Sequence, residues 1–192
     1  MKLLHLDSSI MGAASASRAI SAAVVDHLRD ADPTLDITYR DLAAEPIPHM
    51  TLDTFMALDR GEEVQQFLDA DIVVIGAGFY NFSIPSQLKA WVDRIAVKGK
   101  TFSYGENGPI GLAAGKRVIV ALARGNVYGE GSPYATYEHA ETLLRSIFAF
   151  VGADVDVIVA EGLGRGEDAR RVAIEAALAR ARLTSPSFVA PA

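Results

Sequence analysis

DIVVIGAGFYNFSIPSQLK, residues 71–89, is the stretch that decides the fold. Its first part, Asp71 to Gly76, encloses an unbroken aliphatic run at Ile72 to Ile75, the composition of a strand covered on both faces. Pro85 and Ser86 then start a helix that reads to Val97, with Leu88, Trp91, Val92 and Ile95 along one face. A buried strand leading through a short loop into an amphipathic helix is half of a parallel strand–helix–strand unit. Open sheets of this kind bind ligands at the carboxyl ends of their strands. Phe79, Tyr80 and Phe82 stand at that place and can border a flat ring, while Asn81 and nearby backbone groups can hydrogen-bond its polar edge.

The same alternation extends in both directions. Leu3 to Asp7 reads as a first strand and Ser17 to Asp30 as a helix with Ile20, Ala23, Val24 and Leu28 in one stripe. Asp36 to Arg40 is a more polar strand suited to a sheet edge, Leu42 to Pro48 a proline-broken loop, and Leu52 to Asp69 is helical at least in its second half. Lys98 to Gly115 is glycine-rich without steady periodicity and reads as an extended surface loop. Strands at Arg117 to Ala123 and Asp154 to Ala160 alternate with helices at Glu138 to Val151 and Asp168 to Arg182. Five strands in this order predict an α/β fold, a doubly wound parallel sheet in the flavodoxin-like order 2-1-3-4-5 with helices on both faces. One domain over residues 1–183 and a short tail at 184–192 that frays complete the expected organisation.

Composition narrows the function. Of 192 residues half are hydrophobic, and 24 acidic against 18 basic side chains leave a net charge of −6, which argues against nucleic acid or an anionic membrane as partner. The chain has no cysteine, so disulfides, thiolate metal sites and thiol nucleophiles are excluded. No apolar run approaches the roughly 20 residues of a membrane span and the start is too weakly apolar for a signal peptide, so the cytoplasm is the expected compartment.

Two further loops share the sheet edge with the aromatic segment. Ser8 to Arg18 is dense in hydroxyls and small residues and opens a helix, so it can offer serine hydroxyls, backbone N–H groups and the positive end of the helix dipole to a phosphate. By itself it is an ordinary serine N-cap; its position after the first strand, at the switch point of the sheet, is what makes it a site. Ala123-Arg-Gly-Asn126 follows the fourth strand, and its glycine lets backbone approach a ligand closely. A phosphate cradle, a wall for a flat ring and a turn at the ring's polar end are together the requirements of a flavin nucleotide.

Other motifs carry less. Gly111 to Arg117 has the wrong spacing for a nucleoside-triphosphate loop and precedes a strand, and Gly162-Leu-Gly-Arg-Gly166 follows the last strand and reads as a turn. His5, His27, His49 and His139 lack ligand spacing, so no metal is expected. Asp7 alone does not make a phospho-acceptor site, since the third strand ends in Gly76-Ala-Gly78 with no aspartate.

The three loops together resemble those of the FMN-dependent NADH azoreductases, a quinone-reductase-like branch of the flavodoxin-like fold. The resemblance runs through LDSSIMGAASASR (6–18), RDLAAEPIP (40–48), FYNFSIPSQLKAWVDRIAVKGKTFSYGENGPIGL (79–112), ARGN (123–126), FVG (150–152) and AEG (160–162). It implies that Ser9, Ser15, Ala16 and Ser17 hold the FMN phosphate. Phe79, Tyr80, Asn81 and Phe82 would line one side of the isoalloxazine, and Ala123, Arg124, Gly125 and Asn126 its pyrimidine end. It further implies an FMN-dependent NAD(P)H oxidoreductase, with NADH or NADPH as donor, quinones and azo compounds as acceptors, two-step kinetics, and no side chain acting as catalytic acid or base. The two FMN sites would lie at a homodimer interface, where Tyr104 and Phe150 supply aromatic walls to the substrate. Two departures stand out: family members commonly have Ser-Arg-Gly-Gly where this chain has Ala123-Arg-Gly-Asn126, and the stretch from Pro48 to the third strand is shorter. The rival readings are a flavodoxin-type electron carrier that docks a redox protein, for which the long loop at Lys98 to Gly115 has no use, and a flavin-free regulatory domain.

Overall fold

In the computed structural model, residues 1–185 are described, so the expected tail beyond Ser185 lies outside the described residues. Its first residue, Thr184, does not fray: it is buried, and its carbonyl accepts a hydrogen bond from His27 Nε2 at 3.0 Å. Five parallel strands form the sheet: β1 (Lys2–Asp7), β2 (Asp36–Asp41), β3 (Ile72–Gly78), β6 (Arg117–Ala123) and β7 (Asp154–Ala160). Their order is β2-β1-β3-β6-β7, the expected 2-1-3-4-5, and each neighbouring pair is parallel. The polar strand β2 is at an edge. Central β3 is buried along its whole length, as its aliphatic run requires.

Alternation along β3 separates two cores. Val73 and Ile75 face one cluster with α3 (Glu62–Asp69), α4 (Ser86–Ile95) and α5 (Ala140–Val151), where Phe67, Trp91 and Phe148 are fully buried. Ile72 and Val74 face the other, with Ile20, Val24 and Leu28 of α1 (Ala16–Ala31) and Ala177 and Ala181 of α6 (Glu167–Ala181). Both faces of the sheet are therefore helix-covered, and ligands are left the carboxyl edge.

Two local expectations are corrected. Lys98 to Gly115 is not a structureless loop; it holds an antiparallel hairpin of β4 (Phe102–Gly105) and β5 (Gly108–Gly111). Its glycines hid the strand signal, and Gly111 is needed because a Cβ there would meet the backbone of Gly152 at 2.3 Å, where the hairpin lies on the end of α5. The 52–69 segment is helical in its second half as expected, at α3, and its first half holds α2 (Leu52–Met56) and a turn at Leu58–Arg60, with the break at Gly61. Helix α5 starts at Ala140, two residues late, because Glu138 stays outside and accepts the N–H groups of Ala140 and Glu141 at 2.9 Å and Thr142 at 3.2 Å.

Candidate active site

The carboxyl ends of β1, β3, β6 and β7 converge on a cavity of about 300 Å³ lined by Ser9, Ser15, Ala16, Ser17, Gly78, Phe79, Tyr80, Ala123 and Gly125. Three loops far apart in sequence thus meet around one space. On the β1 side the serines are buried and bonded to one another: Ser15 Oγ lies 3.0 Å from Ser17 Oγ, and Ser9 Oγ 3.0 Å from the Tyr80 hydroxyl. Ser15 caps α1 by accepting the Arg18 N–H, while the N–H groups of Ala16 and Ser17 have no acceptor among the described residues. Free donors, hydroxyls and the helix dipole at one spot are the chemistry an anion requires.

Behind this loop lies a closed polar network. Arg18 donates through Nε and Nη2 to the Ser9 carbonyl at 3.1 and 2.8 Å and pairs in bidentate fashion with Asp41, both bonds at 2.7 Å. The Arg18 hydrogen bond is the main reason that the Asp41 carboxyl sits below its usual range. Buried Asp7 accepts from Ser21 and from the Tyr39 hydroxyl, and the His5 ring pairs with Ser21 at 3.0 Å. Burial is the main cause that lowers the His5 pKa from 6.5, with Asp7 opposing and Arg18 assisting. A side chain at Gly76 would force this network to shift, since a Cβ would come within 2.1 Å of Asp7 Oδ1.

The aromatic segment makes a tight turn in which the Tyr80 N–H bonds the Ser83 carbonyl at 2.9 Å and the Ser83 N–H returns to Tyr80 at 3.1 Å. Both central residues are left-handed, Asn81 at φ +47° and Phe82 at φ +75°. Asparagine tolerates this conformation; phenylalanine does so at a steric cost of about 1–2 kcal/mol, and such strain collects at functional sites. The turn leaves the N–H groups of Asn81 and Phe82 without an acceptor among the described residues. Phe79 packs against Tyr128 with ring centroids 4.5 Å apart, and Phe82 against Tyr137 at 5.2 Å. Phe79 and Tyr80 also wall a second, larger cavity of about 780 Å³, which Asn81 lines together with residues of the loop before α2 and of α4.

On the β6 side the N–H groups of Gly125 and Asn126 are likewise unpaired, while the Gly125 carbonyl accepts from Gly164 at 2.7 Å and the Asn126 carbonyl from Gly162 at 3.2 Å. The departure from a second glycine at Asn126 is absorbed locally: its side chain accepts the Val127 N–H at 2.9 Å. The Arg124 side chain turns away from the cavity. It is 2% exposed and lies 2.7 Å from Glu141, 3.2 Å from Glu138 and 3.5 Å from Glu161, with the guanidinium 5.9 Å from the Phe79 ring centre. Burial would raise the Glu138 carboxyl, but the helix N–H groups and Arg124 outweigh it and hold it below the usual value.

Tyr104 and Phe150 do not reach this cavity in their own chain. Helix α5 begins beside Arg124 at the carboxyl edge and ends about 18 Å away, given 1.5 Å per residue, next to the start of β7. Phe150 there packs on Phe102 at 4.6 Å, and Tyr104 stands edge-on to the same ring and is largely exposed. The sequence reading missed Met11, Ala14, Leu163, Gly164 and Arg170, which also line the 300 Å³ cavity. The Gly162–Gly166 turn could have been found by its place at the carboxyl end of β7. Among the described residues, no helix is long and apolar enough to cross a membrane and no cluster of metal-ligating side chains is present.

Comparison with known proteins agrees with this geometry. The profile of the flavodoxin-like fold family matches residues 1–184. The chain is 54% identical over 192 positions to an FMN-dependent NADH:quinone oxidoreductase of Gluconacetobacter diazotrophicus, covering 92% of this chain and 96% of that one. It is 51% identical over 194 positions to a protein of the same description from Methylorubrum extorquens, covering 93% and 96%. Among solved structures, an azoreductase from Bacillus anthracis superposes with a TM-score of 0.87 at 28% identity, covering 95% of this chain and 97% of that one.

Proposed function

The chain belongs to the flavodoxin-like family of FMN-dependent NADH:quinone oxidoreductases, and from that premise we propose that it binds one FMN per subunit and reduces quinones and azo compounds at the expense of NADH or NADPH. The observation that carries the proposal is the set of N–H groups without an acceptor among the described residues on the three loops at this edge: those of Ala16, Ser17 and Gly125, which line the 300 Å³ cavity, and those of Asn81, Phe82 and Asn126 next to them in the chain. These donors, with the buried serine hydroxyls, fit the phosphate, the ring edge and the pyrimidine end of FMN.

Bound FMN would supply two-electron redox chemistry between the nicotinamide and the acceptor, with the remaining proton drawn from solvent. The protein binds and orients. Ser9, Ser15, Ala16 and Ser17 hold the phosphate end, and the Phe79–Phe82 turn presents its strained peptide N–H groups toward the ring. Gly125 and Asn126 N–H groups, pre-set by the bonds from Gly162 and Gly164, stabilise negative charge at the pyrimidine end without reorganising. No side chain needs to serve as acid or base for this role.

The working unit proposed is a cytoplasmic homodimer. Tyr104 and Phe150 lie far from their own chain's cavity on a surface with exposed Ile110 and Leu112, so a symmetric partner is the way they can wall a substrate site. One cavity serving donor and acceptor in turn predicts parallel initial-rate plots. The test is to purify the protein, measure flavin content and assay NADH- and NADPH-dependent reduction of a quinone and an azo dye. Stoichiometric FMN with turnover unaided by a partner protein is expected. An FMN protein inactive without a redox partner would instead be a carrier, and intersecting plots would refute the shared site.

A further inference from the structure

The basic side chain next to the serine loop in sequence is Arg18, one residue beyond Ser17. Its guanidinium is fully engaged elsewhere, on the Ser9 carbonyl, the Tyr39 hydroxyl and both oxygens of Asp41. It holds the loop from behind and its charge is matched by Asp41. Arg124 is likewise committed, to three glutamates. The cationic side chain that does line the serine cavity is Arg170, from the first turns of α6, which crosses to the loop and donates through Nη2 to the Ala14 carbonyl at 2.9 Å. Ala14 is the residue before Ser15, so the guanidinium is placed beside the hydroxyls and free N–H groups of the anion site. Among the described residues its guanidinium makes one hydrogen bond, which leaves other donors of the five-donor fork available.

We propose that Arg170 is the counter-charge of the FMN phosphate and the residue by which this chain selects FMN over the uncharged riboflavin. The inference rests on the FMN reading above and deepens it. A bound phosphate carries close to two negative charges, and hydroxyls and amides supply dipoles but no net charge. A guanidinium matches phosphate oxygens in geometry and charge, and such charge-assisted bonds are about twice as strong as neutral ones.

The experiment titrates the flavin-stripped protein with FMN and with riboflavin by flavin fluorescence, for the unaltered chain and for Arg170→Lys, Arg170→Gln and Arg170→Glu. FMN affinity should fall in the order Arg, Lys, Gln, Glu, with the Gln variant about ten- to a hundredfold weaker than Arg, while riboflavin affinity stays unchanged. Added KCl should weaken FMN binding more steeply in the unaltered chain than in Arg170→Gln. If Arg170 only props the Ala14 turn, Lys will do no better than Gln and Glu no worse, and that result overturns the proposal. Equal loss of FMN and riboflavin overturns it too. Failure of the unaltered chain to bind FMN would overturn the flavin reading itself, a result distinguishable from either.

Discussion

Replacing Arg124 with methionine removes the cation on which Glu138, Glu141 and Glu161 converge and leaves their negative charges facing one another. Breaking a buried ion pair by deleting one partner costs about 3–5 kcal/mol. The lower end applies here, about 3 kcal/mol, because each carboxylate keeps another donor: helix N–H groups for Glu138, Arg145 at 2.8 Å for Glu141, and the Tyr128 N–H at 3.0 Å for Glu161. For a chain of this size that corresponds to a fall of roughly 6–12 °C in Tm. Urea unfolding of the flavin-free protein is the suitable assay, since bound FMN would add its own stabilisation. The pH dependence has a definite sign. Burial alone raises the Glu138 pKa, yet the N–H groups and Arg124 together hold it below the usual value, so the carboxylate contributes stability above that value and loses it on acidification. Without Arg124 that contribution shrinks, so the gap between the two proteins should be widest near pH 8 and narrow as pH falls through the carboxylate range. A gap under about 1 kcal/mol at pH 8, or one that widens with acid, would refute the reasoning.

Phe82→Gly should be more stable than Phe82→Ala by about 1–2 kcal/mol, the reverse of the usual order, because both lose the Tyr137 contact but only alanine keeps the left-handed strain; thermal melts of the flavin-free variants check this. His5 is held neutral chiefly by burial, so stability should fall as pH drops below about 6.5, where the unfolded chain takes up the proton that the folded one resists; Asp7, Arg18, Asp26 and Tyr39 surround the ring and modulate the effect. His5→Gln should flatten this slope between pH 7 and 5.5 in denaturation curves, and an unchanged slope would assign it to another group. Tyr104→Ala should alter KM or relative rates among quinone and azo acceptors with FMN content intact; lower thermal stability with acceptor preference unchanged would make Tyr104 a packing residue, and a fully active monomer in sedimentation would remove the interface.

Strands β6 and β7 match their expected bounds residue for residue, and β3, expected over Asp71 to Gly76, runs from Ile72 to Gly78. Such elements are legible because a strand buried on both faces needs an uninterrupted aliphatic run, which few other structures produce. The hairpin at Phe102–Gly111 was illegible for the opposite reason: four-residue strands interrupted by glycine carry no period, and what requires the glycine is the Gly152 backbone forty-one residues later. In the candidate site, the serine loop, the aromatic turn and the Arg-Gly turn were each identifiable because hydroxyls, aromatics and glycines stood directly after strands, and the order of the sheet places such loops together.

Sequence alone thus determined the fold class and the strand order, and it named the loops that the structure brings to one edge, because aliphatic runs, helical stripes and the residues that follow them are local signals. Only the tertiary structure decided where the charged side chains point. Arg18 faces Asp41 and the Ser9 carbonyl, Arg124 faces three glutamates, and Arg170, from the far end of the chain, faces the serine cavity. Which peptide N–H groups are left unpaired was also beyond the sequence, as was the left-handed Phe82. An arginine is long enough to turn toward any of several neighbours, and its choice depends on which carboxylates and carbonyls the folded chain brings within reach, a long-range outcome of packing that no local pattern encodes.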